Sequence, residues 1–222
     1  MEDKVTFVLT SCGRFNFLKK CIDSFFKFNT YPIEKFIIID NSCGPDTNEI
    51  ITEIFKNYNC NLQIIINDEN IGQVKSIDKA YSNVTTPYIY HCEDDWEFTD
   101  YSFIENSIDI LKFDNKVTNI NTRVRNDGEK GSLHPVKGPY VSENGLNYFI
   151  YELNYLNEWH GFSWNPGLRR LSDYKLIGEY SLYGNEAAVG KKYKDMGYYS
   201  ACLDKFYNKH IGTYSSTPKS NM

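Results

Sequence analysis

Short apolar runs alternate with helical patterns through the first half of the chain, and this alternation constrains the fold more than any other feature. The apolar runs predict strands at Lys4–Thr10, Phe36–Asp40, Leu62–Asn67 and Pro87–Cys92. The helical spacings predict helices at Phe15–Phe28, Asp46–Tyr58, Ile71–Tyr81 and Tyr101–Phe113. Strands that alternate with helices in this way pair in parallel through right-handed crossovers. The sequence therefore predicts an α/β protein with a mostly parallel sheet.

The second half of the chain follows a different pattern. Its predicted segments are a strand at Val117–Arg125, a Gly- and Pro-rich loop or hairpin at Asn126–Ser142, an aromatic, turn-like segment at Trp159–Arg170, a helix at Gly184–Met196 and a strand at Tyr198–Asp204. Thr213–Met222 is small and polar, which predicts a mobile tail. No linker divides the sequence, so we expect a single domain over 1–222, with parts at 1–115 and 116–212 and a tail at 213–222. The second part should add a small antiparallel extension to the sheet.

Composition excludes several classes of protein. The net charge of −5 argues against a nucleic-acid-binding surface. The segment MEDKVTFVLT carries acids where a signal peptide has bases, and no run approaches the ~20 apolar residues of a membrane span. The six cysteines are scattered without a CxxC pair, which favours reduced thiols over disulfides or a zinc site. We expect a cytoplasmic protein without a membrane span.

Polar residues follow all four strands of the first half. In doubly wound sheets ligands bind at the carboxyl ends of the strands, so these residues should converge on one rim. One such end would be an ordinary turn or helix cap, but four together predict a ligand site. The chain has no GxGxxG after the first strand and no GxxxxGK[ST], so a Rossmann dinucleotide site or a P-loop would lack its phosphate-binding loop. The four ends are Thr10–Arg14, Asp40–Ser42, Asn67–Gln73 and Glu93–Asp95.

The most informative of these strand ends consists of three adjacent acids, Glu93, Asp94 and Asp95, which directly follow the apolar run YIYHC. Adjacent carboxylates repel one another, and a fold that places them at a strand end usually supplies a cation. Oxygen ligands of this kind suit Mg²⁺ or Mn²⁺. The alternative is a solvated acidic turn that precedes the next helix. The position after a buried strand favours the metal site.

Taken in order, TSCGR, FIIIDNS, DENIGQ and the EDD after a strand resemble the motifs of family 2 glycosyltransferases of GT-A fold. The resemblance is clearest over residues 4–115. It implies a GT-A-like, Rossmann-type three-layer fold, a nucleoside diphosphate sugar as donor and a divalent metal, Mn²⁺ or Mg²⁺. It marks Asp95 as a metal ligand, with Glu93 where Asp is commoner in the family's D-x-D element. His210 resembles a C-terminal metal ligand of such enzymes, although a structural histidine fits the sequence equally well.

The resemblance also implies which residues bind the donor. Thr10 and Cys12, with Arg14 in the same motif, fall in the loop that contacts the base, and Asp40 matches an acid on the uracil or ribose side. Glu93 and Asp94 would lie near the ribose or a metal-bound water. Further candidates are Asp68 and Gln73 near the base and diphosphate, Lys75 at a phosphate, Trp164 in the sugar pocket or the core, and Arg169 and Arg170 at the diphosphate or in solvent.

Glu186 is the candidate general base because it resembles the family's catalytic acid at a helix start. The helix N-terminus should lower its pKa and keep it ionised. The alternative is that Glu186 only interacts with the helix dipole, and Asp173 and Glu179 are weaker candidates for the base. His91 lies within a predicted strand and is expected in the core.

These expectations add up to an inverting, metal-dependent glycosyltransferase of hexosyl or deoxyhexosyl type that acts in carbohydrate biosynthesis. Residues 1–115 would bind the donor, with UDP as the first candidate nucleotide. Residues 116–212 would bind a glycan or other hydroxyl acceptor and supply the base. The alternatives are a nucleotidyltransferase, which would favour a Gly-rich basic loop after the first strand, a non-catalytic nucleotide-sugar or carbohydrate-binding relative, and an interaction domain without a ligand.

Overall fold

A nine-stranded mixed sheet is the central feature of the computed structural model, which describes residues 3–123 and 135–212. A 3₁₀ turn at Tyr180–Leu182 precedes the last helix. The elements in chain order are β1 Val5–Ser11, α1 Phe15–Phe28, β2 Ile33–Asp40, α2 Thr47–Phe55, β3 Leu62–Ile66, α3 Gln73–Tyr81, β4 Tyr88–Glu93, β5 Trp96–Phe98, α4 Phe103–Phe113, β6 Val117–Asn121, β7 Val136–Val141, β8 Asn147–Tyr151, β9 Gly167–Arg170, α5 Leu171–Ile177, α6 Glu186–Asp195, β10 Tyr199–Leu203 and β11 Asn208–His210.

The strand order of the large sheet is β3-β2-β1-β4-β9-β6-β10-β8-β7. The four strands of the first half pair in parallel, as does β6 with β10. Strand β9 runs antiparallel between β4 and β6, and β8 and β7 extend the sheet as an antiparallel hairpin. Strands β5 and β11 form a separate antiparallel pair. The predicted α/β fold, with its largely parallel sheet and small antiparallel extension, is confirmed.

Helices cover the sheet on both faces because the central strands are apolar on both sides. In β2, Ile38 belongs to one core cluster, while Ile37 and Ile39 belong to the other. Helix α1 packs its buried Leu18, Ile22 and Phe25 into the first cluster, and α3 packs its buried Ile77, Ala80 and Tyr81 into the second. Burial of apolar side chains on both faces is what an uninterrupted FIII run predicts. The result is a three-layer arrangement.

The predicted elements with strong periodicity are present, with ends that differ from the predicted bounds by up to a few residues in either direction. Helix α1 has the predicted bounds. The described part of the predicted loop or hairpin contains strand β7, which pairs with β8, a strand that lies beyond the predicted range and was not predicted. The short elements β5, β9, α5 and β11 were not predicted, because three- to seven-residue segments carry little periodicity and form through tertiary pairing. The predicted features at residues 124–134, including the end of the Val117–Arg125 strand, and at the tail 213–222 lie outside the described residues. The division into parts at residue 115 stays a prediction.

Within residues 3–123 and 135–212, no helix combines the length and the apolar character needed to cross a bilayer.

Candidate active site

A cavity of about 400 Å³ opens at the carboxyl ends of β1, β2 and β4. The parallel register brings these ends to one level, with Ser11 beside Asp40 of β2 and Thr10 beside Glu93 of β4. The predicted convergence of polar strand ends therefore occurs. The cavity is lined by Thr10, Ser11, Cys12, Arg14, Asn41, Asn70, Gln73, Glu93 and Asp95.

The guanidinium of Arg14 binds two of the three adjacent acids. Its Nη2 and Nε donate to the two oxygens of Asp94, and its Nη1 donates to Asp95 Oδ2 at 2.8 Å. Ser11 Oγ also donates to Asp94, at 3.2 Å. Burial raises the pKa of Asp94 to about 6, even though Arg14 favours its ionised form. Arg14 thus neutralises part of the acidic rim in the free protein.

Asp95 is the acid whose ionised form is best supported. Burial opposes its charge, but His210 and Arg14 together hold the pKa of Asp95 below its usual value. His210 Nε2 lies 3.4 Å from Asp95 Oδ2, and its ring packs 4.9 Å from that of Trp96. These two predicted metal ligands are therefore neighbours in space although far apart in sequence.

Strand β11 brings His210 to Asp95 by pairing with β5. The next two residues, Ile211 and Gly212, also contact Asp95. The Ile211 N–H donates to the backbone oxygen of Asp95 at 2.8 Å. A Cβ at Gly212 would lie 2.5 Å from Asp95 Oδ2, so only glycine fits there. The close approach of the chain at Gly212 therefore helps to keep His210 beside Asp95.

The described residues contain no group of three His, Cys, Asp or Glu side chains arranged to hold a metal ion. Asp95 and His210 alone would contribute two ligands. Mg²⁺ and similar ions commonly bind through one or two carboxylates and complete their shell with substrate phosphates and water. The donor set therefore fits a divalent metal whose remaining ligands come from a bound diphosphate.

Glu93 lies between this rim and the second half of the protein. Gln73 Nε2 donates to one of its oxygens, and Trp96 Nε1 donates to the other at 3.5 Å. Burial, together with the charges of Asp95 and Glu186, raises the pKa of Glu93 to about 8. Near neutral pH, Glu93 in the free protein therefore holds a proton for much of the time.

Asp40 is fully buried and does not line the cavity. One of its oxygens accepts the N–H of Ser42 at 2.7 Å, and the other accepts the N–H of Gly13 at 3.1 Å. Asp40 thus ties the loop after β1 to the loop after β2. Its assignment to the base or ribose stays a prediction, and any effect through these bonds would be one of loop positioning.

Asp68 and Lys75 are exposed and lie outside the cavity lining, whereas Asn41 and Asn70 belong to it. Asn67 Nδ2 donates to Asn41 Oδ1 at 2.7 Å and fixes that side chain. Asn70 Nδ2 lies 3.8 Å from Cys12 Sγ, and burial raises the pKa of that thiol. Ser11, Asn41 and Asn70 were missed as individual residues, although each lies in a predicted polar strand end.

A second cavity, of about 520 Å³, adjoins the first and shares Gln73 and Glu93 with it. Trp164, for which sequence left a choice between sugar pocket and core, takes part in both. It lines this cavity and packs its buried ring 6.1 Å from that of Phe162. The remaining lining residues are Glu158, Trp159, Asn185, Glu186 and Ala187.

Glu186 is the first residue of α6, and its carboxylate is held by neutral donors. Its Oε1 accepts the hydroxyl of Ser163 at 3.0 Å and the N–H of Trp164 at 2.5 Å. Burial raises the pKa of Glu186, which corrects the predicted lowering by the helix N-terminus: desolvation outweighs the hydrogen bonds. The helix cap is made by Asn185, which accepts the N–H of Ala188 at 2.9 Å. The carboxylate is therefore not used as the cap.

The structure changes the interpretation of the two arginines. Arg169 is only 1% exposed and lines neither cavity. Arg170 donates to the backbone oxygens of Val117, Leu111 and Asp114 and to Asp173 at 2.8 Å. The expectation that these residues contact a diphosphate or are solvated is wrong, because strand β9 is interior to the sheet.

The other candidate bases are less well placed than Glu186. The carboxylate of Asp173 is bound by Arg170, and Glu179 is exposed outside both cavities. His91 is fully buried, as expected, and burial followed by the charge of Arg169 lowers its pKa well below the usual value. Glu186 and Glu158 are therefore the carboxylates of the second half that line a cavity next to the acidic rim, and Glu186 is the one among the sequence-predicted bases.

Comparison with known proteins agrees with this geometry. The family model for glycosyl transferase family 2 matches residues 6–177. A curated relative, the teichoic acid poly(glycerol phosphate) polymerase of Staphylococcus epidermidis, is 22% identical over 196 residues, which cover 83% of this chain and 27% of that protein. The chain thus spans less than a third of that relative.

Solved structures share the fold at low sequence identity. A mannosyltransferase from Pyrobaculum calidifontis, in complex with GDP-Man and Mn²⁺, has a TM-score of 0.66 and 14% identity, with 91% of this chain and 54% of that chain covered. S. aureus TarS in complex with UDP-GlcNAc has a TM-score of 0.64 and 14% identity, with 96% of this chain and 62% of that chain covered. This chain therefore adopts the fold of those enzymes over nearly its whole length.

Proposed function

The chain belongs to glycosyl transferase family 2, and we propose that it transfers a sugar from a nucleoside diphosphate sugar to an acceptor hydroxyl with inversion at the anomeric carbon. The observation that carries this proposal is the shared wall of the two cavities. Gln73 and Glu93 line both the acidic rim and the space in front of Glu186. A donor bound in the first cavity would present its sugar to an acceptor bound in the second.

The donor would bind along the polar ends of β1, β2 and β3. Thr10, Cys12, Asn41 and Asn70 offer hydrogen-bonding groups in the part of the rim cavity that is not shared with the second cavity, which suits a base and ribose. The structural neighbours bind UDP-GlcNAc and GDP-Man, which share a diphosphate but differ in base and sugar. We take a UDP-hexose or UDP-deoxyhexose as the first candidate and a GDP-sugar as the second.

The diphosphate would lie at Asp95 and His210, which would hold Mn²⁺ or Mg²⁺. A divalent ion bound there supplies positive charge to the leaving diphosphate. Arg14 must then give up part of its contact with Asp95, because Asp95 Oδ2 faces both Arg14 and His210. The Arg14 side chain is 20% exposed at the cavity and can turn from the carboxylates towards a phosphate. Arg14 thus acts as a counter-ion before and after the donor binds.

Glu186 would take the proton of the acceptor hydroxyl. Its Oε1 is occupied by Ser163 and Trp164, while among the described residues its Oε2 accepts no hydrogen bond. The acceptor proton moves to Oε2 as the acceptor oxygen bonds to the anomeric carbon. The bond from that carbon to the diphosphate oxygen breaks at the opposite face, and its electron pair leaves with the diphosphate. Attack opposite the leaving group is what inverts the configuration.

The proposal is tested with a panel of UDP-, GDP- and dTDP-hexoses in the presence of Mn²⁺. The measurement is the release of nucleoside diphosphate as the sugar is transferred to water or to added glycan and polyol acceptors. We expect release with at least one donor, loss of release in EDTA, and loss in Glu186→Gln. The product of a successful transfer should have inverted anomeric configuration by NMR. Binding of a nucleotide sugar without turnover under any condition would favour the non-catalytic alternative, and no binding at all would reject the proposal.

A further inference from the structure

One peptide unit connects the candidate base to a buried cation. The Trp164 N–H donates to Glu186 Oε1, and the carbonyl of the same peptide, that of Ser163, accepts from Arg169 Nη2 at 3.4 Å. A peptide whose oxygen faces a cation is polarised, so its N–H becomes a stronger donor to a carboxylate. Arg169 therefore acts on Glu186 through the Ser163–Trp164 peptide without touching it.

Arg169 has few other hydrogen bonds to explain its burial. Within the described residues, its Nε and Nη1 make no hydrogen bond of good geometry, and its guanidinium lies 5.3 Å from the centre of the Phe162 ring. The hydroxyls of Tyr180 and Tyr81 lie close enough to interact with the guanidinium, but both are neutral groups. Its backbone pairs with Ile89 of β4 and Asn119 of β6, which fixes its position in the interior of the sheet. A charge buried in this way destabilises the fold unless it interacts with other groups.

The neighbouring Arg170 shows what a purely structural arginine looks like in this protein. Arg170 binds three backbone oxygens and the carboxylate of Asp173. Arg169, one residue away and on the opposite face of β9, has no carboxylate in hydrogen-bond contact within residues 3–123 and 135–212. In the same part of the chain, its one carbonyl contact belongs to the peptide that holds Glu186. This difference favours a role for Arg169 at the candidate base.

The side chains that surround Arg169 are neutral, and its positive charge favours the ionised form of Glu186. Tyr81, Tyr180 and Tyr193 surround the guanidinium, and His91 beside it is kept neutral. The charge of Arg169 works against the burial that raises the pKa of Glu186, in the same direction as the bonds from Trp164 and Ser163. Across the cavity, the charge of Glu186 contributes to the raised pKa of Glu93, and Glu158 lines the same space.

We propose that Arg169 is a positioning residue for Glu186: through the Ser163–Trp164 peptide it orients the carboxylate and keeps it able to accept a proton. The catalytic meaning of this proposal rests on the proposed function, in which Glu186 is the general base. The contact between Arg169, the Ser163–Trp164 peptide and Glu186 does not depend on that function, because it can be measured in the free protein.

The test is a ¹³C NMR titration of the Glu186 side-chain carboxyl, assigned by its absence in Glu186→Gln. Arg169→Met should raise the pKa of Glu186 by about one pH unit, because a nearby cation is lost. Arg169→Lys should restore most of the wild-type value. The matched control is Arg170→Met, which removes an adjacent guanidinium of structural type and should leave the Glu186 titration unchanged. An unchanged titration in a folded Arg169→Met protein would overturn the proposal.

A second measurement uses the wild-type protein and so does not depend on the folding of Arg169 variants. The amide resonance of Trp164 and the Nε–H resonance of Arg169 should both shift with the ionisation of Glu186, and neither should do so in Glu186→Gln. A Trp164 amide that follows Glu186 while the Arg169 resonance does not move would contradict the link. Where turnover is found, the acid limb of kcat should move with the NMR pKa while KM changes little. A protein without transferase activity but with these shifts would reject the proposed function and keep the contact.

Discussion

The two carboxylate regions of this protein are stabilised in opposite ways. At the end of β4, Asp94 and Asp95 lie in direct contact with the cation Arg14, and Asp95 also faces His210. At the start of α6, the donors to Glu186 among the described residues are neutral, a hydroxyl and a backbone N–H. The pKa of Asp95 is lowered, whereas that of Glu186 is raised.

This difference separates a binding role from a proton-transfer role. A carboxylate kept ionised by neighbouring cations is suited to hold a metal ion or a second cation in its place. A carboxylate in a less polar setting, with a raised pKa, is a better proton acceptor near neutral pH. The comparison therefore predicts that variants at the end of β4 lose binding of metal and nucleotide, whereas variants of Glu186 lose transfer rate.

The largest expected effect is the loss of transfer rate in Glu186→Gln. The substitution keeps the size of the side chain but removes its basicity, and loss of a positioned base costs ~10²–10⁴-fold in rate. The measurement is the initial rate of nucleoside diphosphate release in the presence of acceptor. Glu179→Gln is the matched control, because Glu179 is an exposed glutamate outside both cavities, and it should keep the wild-type rate. Full activity in Glu186→Gln would remove the assignment.

Removal of Arg14 should be the next largest effect, and it should appear in stability. Arg14→Met leaves the buried Asp94 without its cation, and breaking such a pair costs about 3 kcal/mol of unfolding free energy. Mn²⁺ should then raise the melting temperature of Arg14→Met more than that of the wild type, since the metal no longer competes with the guanidinium. Arg14→Lys keeps the charge and should lie between the two. Equal metal responses in all three proteins would show that Arg14 does not shield the metal ligands.

Metal binding should release protons and strengthen with pH between about 6 and 8. In the free protein the pKa of Asp94 is raised to about 6 and that of Glu93 to about 8, so both acids hold protons at low pH. A bound cation favours the ionised forms of both acids and so displaces their protons. Each displaced proton increases the metal affinity by up to about tenfold per pH unit, and the increase ends above the pKa of Glu93. Calorimetry in two buffers of different ionisation enthalpy counts the protons. Glu93→Gln should lower the count; a count of zero for the wild type would be contrary to this account.

The smallest effect is expected at Lys75, which resembles a phosphate contact but is exposed outside the rim cavity. An exposed charge contributes less than about 1 kcal/mol, so Lys75→Gln should weaken nucleotide binding by less than about fivefold. The loss should shrink further at high salt because screening weakens exposed charges. Lys20→Gln, an exposed lysine on α1, is the control. A much larger loss would mean that Lys75 turns into the cavity when the donor binds.

The sequence predicted the fold of the first half because periodicity and burial agree there. The run FIII carries both the strand and its burial on two faces, and the polar strand ends follow from the parallel register. Strands β9 and β11 were not predicted, since they are short and exist through pairing with distant strands. The approach of His210 to Asp95 was implied only by the family resemblance.

The electrostatics of the site could not be predicted from the sequence. The raised pKa of Glu186 depends on the packing around it, which no local pattern encodes. The contrast between Arg169 and Arg170 likewise depends on which face of β9 each side chain takes, and the sequence shows only an RR pair. The double contact of Arg14 with Asp94 and Asp95 joins residues about 80 positions apart in the chain.

Titration calorimetry of UDP with Mn²⁺ on Asp95→Asn and Glu186→Gln tests the division of roles most directly, with GDP as the second nucleotide should UDP not bind the wild type. Asp95→Asn should bind the nucleotide at least ~10–100-fold more weakly than the wild type, which is the loss expected when a supporting residue of a metal site is removed. The remaining affinity of this variant should not respond to EDTA. Glu186→Gln should bind the nucleotide and metal as the wild type does. Wild-type affinity in Asp95→Asn, or a comparable loss in Glu186→Gln, would contradict the account.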